Sequence, residues 1–534
     1  MHTETIPVLI VGGGPAGLSA SLFLARHGVR SILVERHAHT SVHPRAKGVN
    51  TRTLEIFRPL GLEDAIREAG AALTRSTNWL FVETLAGTEH RRLSRRSLFE
   101  LPADLEQISP TTWALCAQNQ LEALLVETAH QRHCDLRFGN ELVSFVQDPS
   151  GVTACVRATT ADTQHQIRAD YLIAADGASS PVCKQLAIPM LGRGPLSYSM
   201  NIYFRADLRE LVQDRWFIMC FVQNPAVQGI LAAVNNRDLW QFHVQYDPAN
   251  GASPQDFTPA RCIELVRQAV GLPQLSVEIL SVLPWEANVR VAAAFQRDRI
   301  FLIGDAAHVM PPAGAFGMNT SIQDAHNLAW KLAAVLNGPA APSLLSTYES
   351  ERRPVAQFTT EQAALRFGNQ GMPEQTSKNI ARVDDTVVIL GYRYPSPAII
   401  AEEGTVPPAA QLDLSGRPGT RAPHLWLEKQ GQRLSTLDLF DTHFVLLTDQ
   451  QGQAWYESAQ TIATSLKMRL DAYRIGLDSA DLIDREGRWH DAYHIVPGGA
   501  VLIRPDGFVC WRARAQEAPS QSLLETVLQR LLGN

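Results

Sequence analysis

The stretch Pro7–Val11 followed by Gly12-Gly13-Gly14-Pro15-Ala16-Gly17 constrains the fold more than any other part of the chain. An apolar run that ends in G-x-G-x-x-G and continues as a helical pattern to His27, with Gly28 as its stop, predicts strand, tight turn and helix. A second apolar run, Ser31–Val34, delivers Glu35, 23 positions after Gly12. That is where the acidic residue of a dinucleotide fold accepts hydrogen bonds from a ribose. Gly12 allows the turn, Gly14 lets the backbone approach a pyrophosphate, and Gly17 permits close packing of helix on strand. Glu35 would repel a 2'-phosphate, so the tightly held nucleotide is not expected to be NADP.

A second informative stretch runs from Ile300 to Leu336. Ile300–Ile303 reads as a buried strand ending at Gly304, with Asp305 at its carboxyl end. The Pro- and Gly-rich segment Pro311–Gly317 predicts a loop. A helix should begin near Asn319, with Thr320 and Gln323 spaced as a capping box and Gly338 at its end. Such a helix start presents unpaired N–H groups and partial positive charge, a place for an anionic or electron-rich ligand edge. The alternative is a packed helix beside a solvated Asp305.

Between these stretches lie Pro44-Arg45-Ala46, a helix from about Gln118, and three short alternating segments, Leu142–Val146, Val152–Arg157 and Gln166–Ile173, that read as a β-meander. Arg45 is either a phosphate or flavin contact or a solvated loop arginine. The meander ends in Asp176-Gly177, a second acidic-glycine turn and a candidate cofactor contact, although Asp-Gly is also an ordinary turn pair. From Lys184 to Trp285 strands dominate. In Trp240–Tyr246 the residues Trp240, Phe242, Val244 and Tyr246 share one face, and Gln241, His243 and Gln245 the other. The aromatic stripe is either core or a substrate wall, and Phe242 and Val244 are carried as pocket candidates. His243 reads as a satisfied sheet histidine.

Length and composition bound the rest. A chain of 534 residues suggests about three domains at the usual domain size. A hydrophobic fraction of 45% and a net charge of -6 place it among soluble globular proteins and leave no nucleic-acid footprint. Arg91, Arg92, Arg95 and Arg96 form the one dense basic cluster. Seven scattered cysteines without metal-ligand spacing argue against disulfides and metal and suit a reducing cytoplasm. No signal sequence or membrane span is expected. Thr347–Pro354 is expected to close a helical region, Asn369–Pro373 to form a loop, and Glu402–Pro408 to link to a separate small α/β domain. That domain lacks Cys-x-x-Cys.

Taken together, Gly12-x-Gly14-x-x-Gly17 with Glu35, Asp176-Gly177 and Gly304-Asp305-Ala306-Ala307-His308 resemble the three fingerprints of the flavin-dependent aromatic hydroxylases, the group typified by para-hydroxybenzoate hydroxylase and phenol hydroxylase. Within it, Gly314–Thr320 and Arg417–His424 look most like hydroxylases of aromatic polyketides. The resemblance implies an α/β FAD-binding, Rossmann-like domain (1–183 and 285–400), an antiparallel β-sheet substrate domain (184–284, with 75–110 as a further contributor), and a thioredoxin-like domain over 405–534. It implies non-covalent FAD contacted by Gly12, Gly14, Pro15, Ala16, Gly17, Glu35, Arg36, Arg45, Gln118, Asp176, Gly304, Asp305, Pro312, Gly317, Met318 and Asn319. Pro311 and Ala313 would border the meeting place of substrate and flavin.

The implied reaction is reduction of FAD by NADPH or NADH, addition of O2 as a C4a-hydroperoxide, and hydroxylation of a phenolic, polycyclic aromatic. The sequence identifies no catalytic base. In the second fingerprint, which usually continues Ser-x-x-Arg, Ser180-Pro181-Val182 is followed here by Cys183, which leaves the pyridine nucleotide preference open. Baeyer–Villiger oxygen insertion on the same scaffold and a redox-inert flavin protein that binds an aromatic intermediate are the alternatives, and a homodimer is an open expectation.

Overall fold

Thr3–Val11 forms a strand whose last four residues are buried, and it lies at the middle of a mixed sheet. Its parallel neighbours are Ser31–Glu35 and Gln164–Ala174, which in turn pair in parallel with Asp135–Phe138 and Ile300–Leu302. Strands covered on both faces need apolar residues throughout, which is why they read as continuous apolar runs. The meander is present as Asn140–Asp148, Gly151–Ala158 and Gln164–Ala174. Its last strand also belongs to the parallel core, so Asp176 and Asp305 emerge from adjacent strands. The computed structural model describes residues 3–76, 78–94, 105–161, 163–368, 381–402, 411–513 and 517–534. Arg95, Arg96, the 369–373 loop and most of the 402–408 linker lie outside the described residues.

A second eight-stranded sheet has the order His308–Val309, Glu278–Ala292, Met190–Arg205, Leu239–Tyr246, Gln228–Ala233, Phe217–Gln223, Asn78–Val82, Glu89–Ser94. It therefore draws strands from well outside residues 184–284. One face is closed by the helix Pro259–Val270, whose start is capped by the Thr258 hydroxyl. Cys262, Val266, Ala269 and Val270 of that helix share a core with Met200, Ile202, Phe204, Trp240, Phe242 and Val244.

The central helix spans Phe316–Asn337 and begins three residues before the expected Asn319. Ala315, at φ 52°, turns the chain into it, and no side chain caps it. Thr320 is thus inside the helix, and its hydroxyl donates back to the Phe316 carbonyl instead of forming a capping box. Thr347–Pro354 opens a helix, Thr347–Gly368, where the sequence suggested an end. Pro354 removes one backbone donor from it. The flanking turn is held from outside by Glu351 and Arg352, both fully buried and ion-paired.

The carboxyl-terminal part holds a seven-stranded sheet with Phe444–Asp449 parallel to Leu470–Gly476 and antiparallel to Ala500–Ile503. Helices Gln453–Ser465 and Gln521–Leu531 pack on it in a core that also takes Trp330 from the central helix. Buried charges cross the same boundary. Arg504 donates to Glu351 and Asp506, Lys331 donates to Glu351, and Arg421 pairs with Glu55. All seven cysteines are free thiols.

Burial alone would raise the Glu351 carboxyl, but Arg504 and Lys331 outweigh it and hold the group well below its ordinary 4.5. Its contribution is therefore full above pH 4.5 and is lost as pH falls toward the folded-state value. Glu351→Gln leaves two buried cations underpaired and should cost about 3–5 kcal/mol in urea unfolding at pH 7. The gap to wild type should narrow below pH 4.

Candidate functional site

The turn after the first strand is built for an anion. Gly12 has φ 111°, and a Cβ there would meet the Ala175 carbonyl oxygen at 2.2 Å. A Cβ on Gly17 would strike the Gly12 carbonyl oxygen at 1.9 Å, and one on Gly13 would press on Glu35. Gly14 is different, for nothing lies within 4 Å of its Cβ position. It is the N-cap of the helix Pro15–Arg26, no side chain caps that helix, and Pro15 and Ala16 form its first turn. Glu35 stands at the adjacent strand end, accepting from the Gly13 N–H at 2.7 Å and from the His37 N–H. Gly13 was not singled out in the sequence, since its constraint comes from Glu35 and Phe138 across the turn. Arg36 is exposed and lies within electrostatic reach of Asp176.

Two carboxylates face the same side. Asp176 uses one oxygen to accept from the Val182 N–H at 3.0 Å, while its buried Oδ1 finds no hydrogen-bond partner among the described residues. Burial raises its pKa. Asp305 stays exposed at its strand end although protein atoms crowd it, and that desolvation raises its pKa, opposed by His308 and Arg45. No described residue donates a hydrogen bond to Asp305. Gly304, at φ 60°, gives its N–H to Asp324. Arg45 is exposed beside Asp305 and within electrostatic reach of Glu122. Gln118 bonds Glu122 and receives a weak bond from the Ala46 N–H. The structure therefore brings Arg45, Gln118 and Asp305 together. Cys183 replaces the expected arginine with a thiol packed in the core, and its N–H is capped by the Ser180 hydroxyl.

The central helix starts opposite the second sheet. Gly317 and Met318 are in its first turn, and Asn319 is fully buried, its side chain occupied by Asn50, Gly48 and Ala315. Only backbone donors of this turn can face a ligand. Of the loop before it, Pro311 is buried and Pro312 exposed, while Ala313 packs with Trp285, Ala287, Leu196 and Phe367.

Phe242 and Val244 do not line this region. They are in the core beneath the helix Pro259–Val270, because an apolar stripe goes to whichever face another element covers. The opposite face is the one turned to the cofactor side. There Gln241 and His243 pair across strands with Tyr203 and Asn201, and with Ala232 and Ile230. Gln241 donates to the Pro44 carbonyl. Among the described residues, the buried Gln241 Oε1, His243 Nδ1 and Trp285 Nε1 find no hydrogen-bond partner. His243 is thus not the satisfied sheet histidine that alternation suggested. Through Ile230 and Ala232 the face continues to Phe221 and Met219 and then to Phe81 and Trp79, all half-buried, with Phe81 and Phe221 stacked at 4.7 Å.

An open pyrophosphate turn, a ribose-positioned Glu35, two carboxylates with unpartnered oxygens and an uncapped helix start fit FAD. A family model described as the FAD binding domain matches residues 5–363, and one described as the aromatic-ring hydroxylase C-terminal domain matches residues 415–534. The chain belongs to the FAD-dependent aromatic-ring hydroxylases. This hydroxylase is 45% identical to a putative polyketide hydroxylase of Streptomyces halstedii, over 99% of this chain and 96% of that one. It is 40% identical to the tetracenomycin A2 monooxygenase-dioxygenase of Streptomyces glaucescens, over 100% of this chain and 98% of the relative. A solved ternary complex of aklavinone-11 hydroxylase with FAD and aklavinone matches the full length of both chains at 35% identity and a TM-score of 0.90.

The glycines give a discriminating test. Gly14 has φ -80°, which alanine adopts freely, so Gly14→Ala should leave apoprotein stability unchanged and weaken FAD binding at least about tenfold. Gly12→Ala should instead destabilise the fold by about 1–3 kcal/mol through its left-handed backbone, before any added clash. Urea titration of apoprotein and flavin release on dialysis read the two effects separately.

Proposed function

We propose that this protein is an FAD-dependent monooxygenase that uses NAD(P)H and O2 to hydroxylate a phenolic, polycyclic aromatic of the polyketide kind. The observation that carries the reading is the sheet face opposite the central helix. It combines a half-buried aromatic wall, in which Phe81 stacks on Phe221 and Trp79 is tilted against Phe221, with buried polar atoms at Gln241 and His243 that lack partners among the described residues. A ligand that is broad, flat and substituted with oxygen would satisfy both. The polyketide hydroxylases and the aklavinone complex support the same substrate class.

Bound FAD supplies the redox chemistry, taking reducing equivalents from NAD(P)H and activating O2. The chain supplies binding, orientation and electrostatics. The Gly12–Gly17 turn and the start of the helix Pro15–Arg26 receive the pyrophosphate, Glu35 the ribose, and Asp305 with Arg45 and Gln118 the remaining polar groups. Backbone N–H groups at Gly317, Met318 and Asn319 place the positive end of the central helix where negative charge is to be stabilised. Trp285, Ala313, Leu196 and Phe367 form an apolar cluster that keeps water from one side of the meeting place.

In this reading residues 1–183 and 285–400 form the cofactor half, except that the 78–94 hairpin, the end of the strand Glu278–Ala292 and the short strand His308–Val309 join 184–284 in the substrate half. Residues 405–534 are read as thioredoxin-like, on the parallel and antiparallel pairings around Phe444–Asp449. We further propose that NADPH or NADH is the reductant and that the protein works in the cytoplasm.

Anaerobic mixing of the holoenzyme with NADPH or NADH, with and without a panel of phenolic polycycles, tests the reading. Flavin bleaching should be accelerated at least about tenfold by a matching phenol. Aerobic product analysis should then show an added hydroxyl. An ester or lactone would assign Baeyer–Villiger insertion instead, and no bleaching with any nucleotide or ligand would assign a redox-inert flavin protein.

A further inference from the structure

The segment His43–Gly48 is tied at almost every residue to a different part of the site. The His43 ring meets Tyr203 edge-on at 5.7 Å, and the Pro44 carbonyl accepts from Gln241. Arg45 lies beside Asp305, and Ala46 is hydrogen-bonded to Gln118. The Gly48 carbonyl accepts from Asn319 at 3.0 Å, which fixes the segment to the start of the central helix. Lys47 points the other way. Its Nζ donates to the Ala233 carbonyl at 2.7 Å, at the end of a strand of the second sheet. It therefore spans the gap between the helix start and the sheet face.

Lys47 has no carboxylate partner among the described residues. The charged and titratable groups around it are cations, potential cations or phenols: His43 and Arg45 on its own segment, His243 on the Leu239–Tyr246 strand and Tyr203 on the Met190–Arg205 strand. Lys47 is half-buried, and a purely structural lysine there would be expected to have an acid to pair with, since desolvating an ammonium whose one protein acceptor is a carbonyl is disfavoured. His243 connects Lys47 to the reaction region, for its ring meets Trp285 edge-on at 6.1 Å, and Trp285 packs against Ala313 of the loop before the central helix. The imidazole Nδ1 of His243, buried and unpartnered, gives the independent sign that a polar ligand group belongs here.

Resting on the hydroxylase reading above, we propose that Lys47 is the catalytic base that takes the proton of the substrate phenol, with His243 and Gln241 positioning the phenol oxygen. The phenol O–H bond breaks, an Nζ–H bond forms, and the electron pair stays on the phenolate oxygen, which activates the ring toward an electrophilic oxygen. The product is a phenolate beside an ammonium, which supplies the counter-charge that the free protein lacks. Burial pushes the Lys47 amine down to about 7, so a neutral acceptor is present near neutral pH. Burial pushes His43 and His243 down to about 4 and about 3, so neither competes for the proton there.

The probe is 2-hydroxyanthraquinone, whose phenolate absorbs beyond the flavin band, bound to holoenzyme across pH 5–9. In wild type its ionisation midpoint should fall at least about tenfold in proton concentration below that of the free dye, because a phenolate is paired with Lys47. In Lys47→Met, with FAD content unchanged, the midpoint should lie at or above the free value, because apolar burial favours the neutral phenol. Equal midpoints in both proteins, with dye bound to both, would overturn the assignment and leave the hydroxylase reading standing. Failure of wild type to bind the dye would count against the phenolic reading itself and remove the assignment with it.

Should Lys47→Met lose FAD, Lys47→Arg separates charge from proton uptake. Above pH 7 wild type should keep the phenol proton, whereas the arginine variant should send it to the buffer, as calorimetry in two buffers of different ionisation heat would show. Equal proton release from the two would overturn the proposal.

Discussion

Asp324 holds the site together. Buried without solvent access in the central helix, it accepts from the Gly304 N–H at 3.1 Å, from His308 Nε2 at 2.7 Å and from Arg352 Nε at 2.8 Å. Burial alone would raise its pKa, but His308 and Arg352 hold it below the ordinary value. A carboxylate can stay ionised in such a place only when donors enclose it. The three donors come from the strand end that carries Asp305, from the edge strand that joins the two sheets, and from the helix Thr347–Gly368. One side chain thus sets where Asp305 stands relative to the central helix.

The network continues outward from that point. Arg352 also donates to the Tyr394 hydroxyl and the Thr320 carbonyl, while its neighbour Glu351 receives Arg504 and Lys331. Arg504 and Asp506 belong to the carboxyl-terminal part, and the Asp506 carbonyl accepts from Arg52, just after the segment that carries Lys47. The carboxyl-terminal part is therefore bonded to the helix Thr347–Gly368 through Arg504 and Glu351, and to the central helix through Asn327, which donates to Asp506. Pairs of this kind add little net stability over apolar packing, but they are costly to break and specify one arrangement, which suits a part that must hold a turn and a helix start in register.

Much of the cofactor half was legible because its chemistry is local. G-x-G-x-x-G, Asp176-Gly177 and Gly304-Asp305 each encode a turn at a strand end, and the structure places those turns side by side. The central helix was legible in extent but not in its first turn, since Ala315 adopts a left-handed conformation that its residue type does not announce. The substrate half showed the limit of periodicity. Alternation in Trp240–Tyr246 separated two faces correctly, but which one meets the core was decided by the helix Pro259–Val270, far along the chain. Gln241, on the less apolar face, donates to the Pro44 carbonyl beside Arg45, and His243 meets Trp285 edge-on. Asp324, Lys47 and Arg504 carry no local signature at all, because their meaning comes from partners brought together by folding.

The most direct test of the central claim is mass analysis of the product formed by holoenzyme, NAD(P)H and a phenolic polycycle under 18O2. One labelled oxygen atom, located in a new ring hydroxyl, is expected, and an unlabelled product when the label is carried by water instead. Hydroxyl oxygen that comes from water, or an oxidised product with no added oxygen, would contradict it.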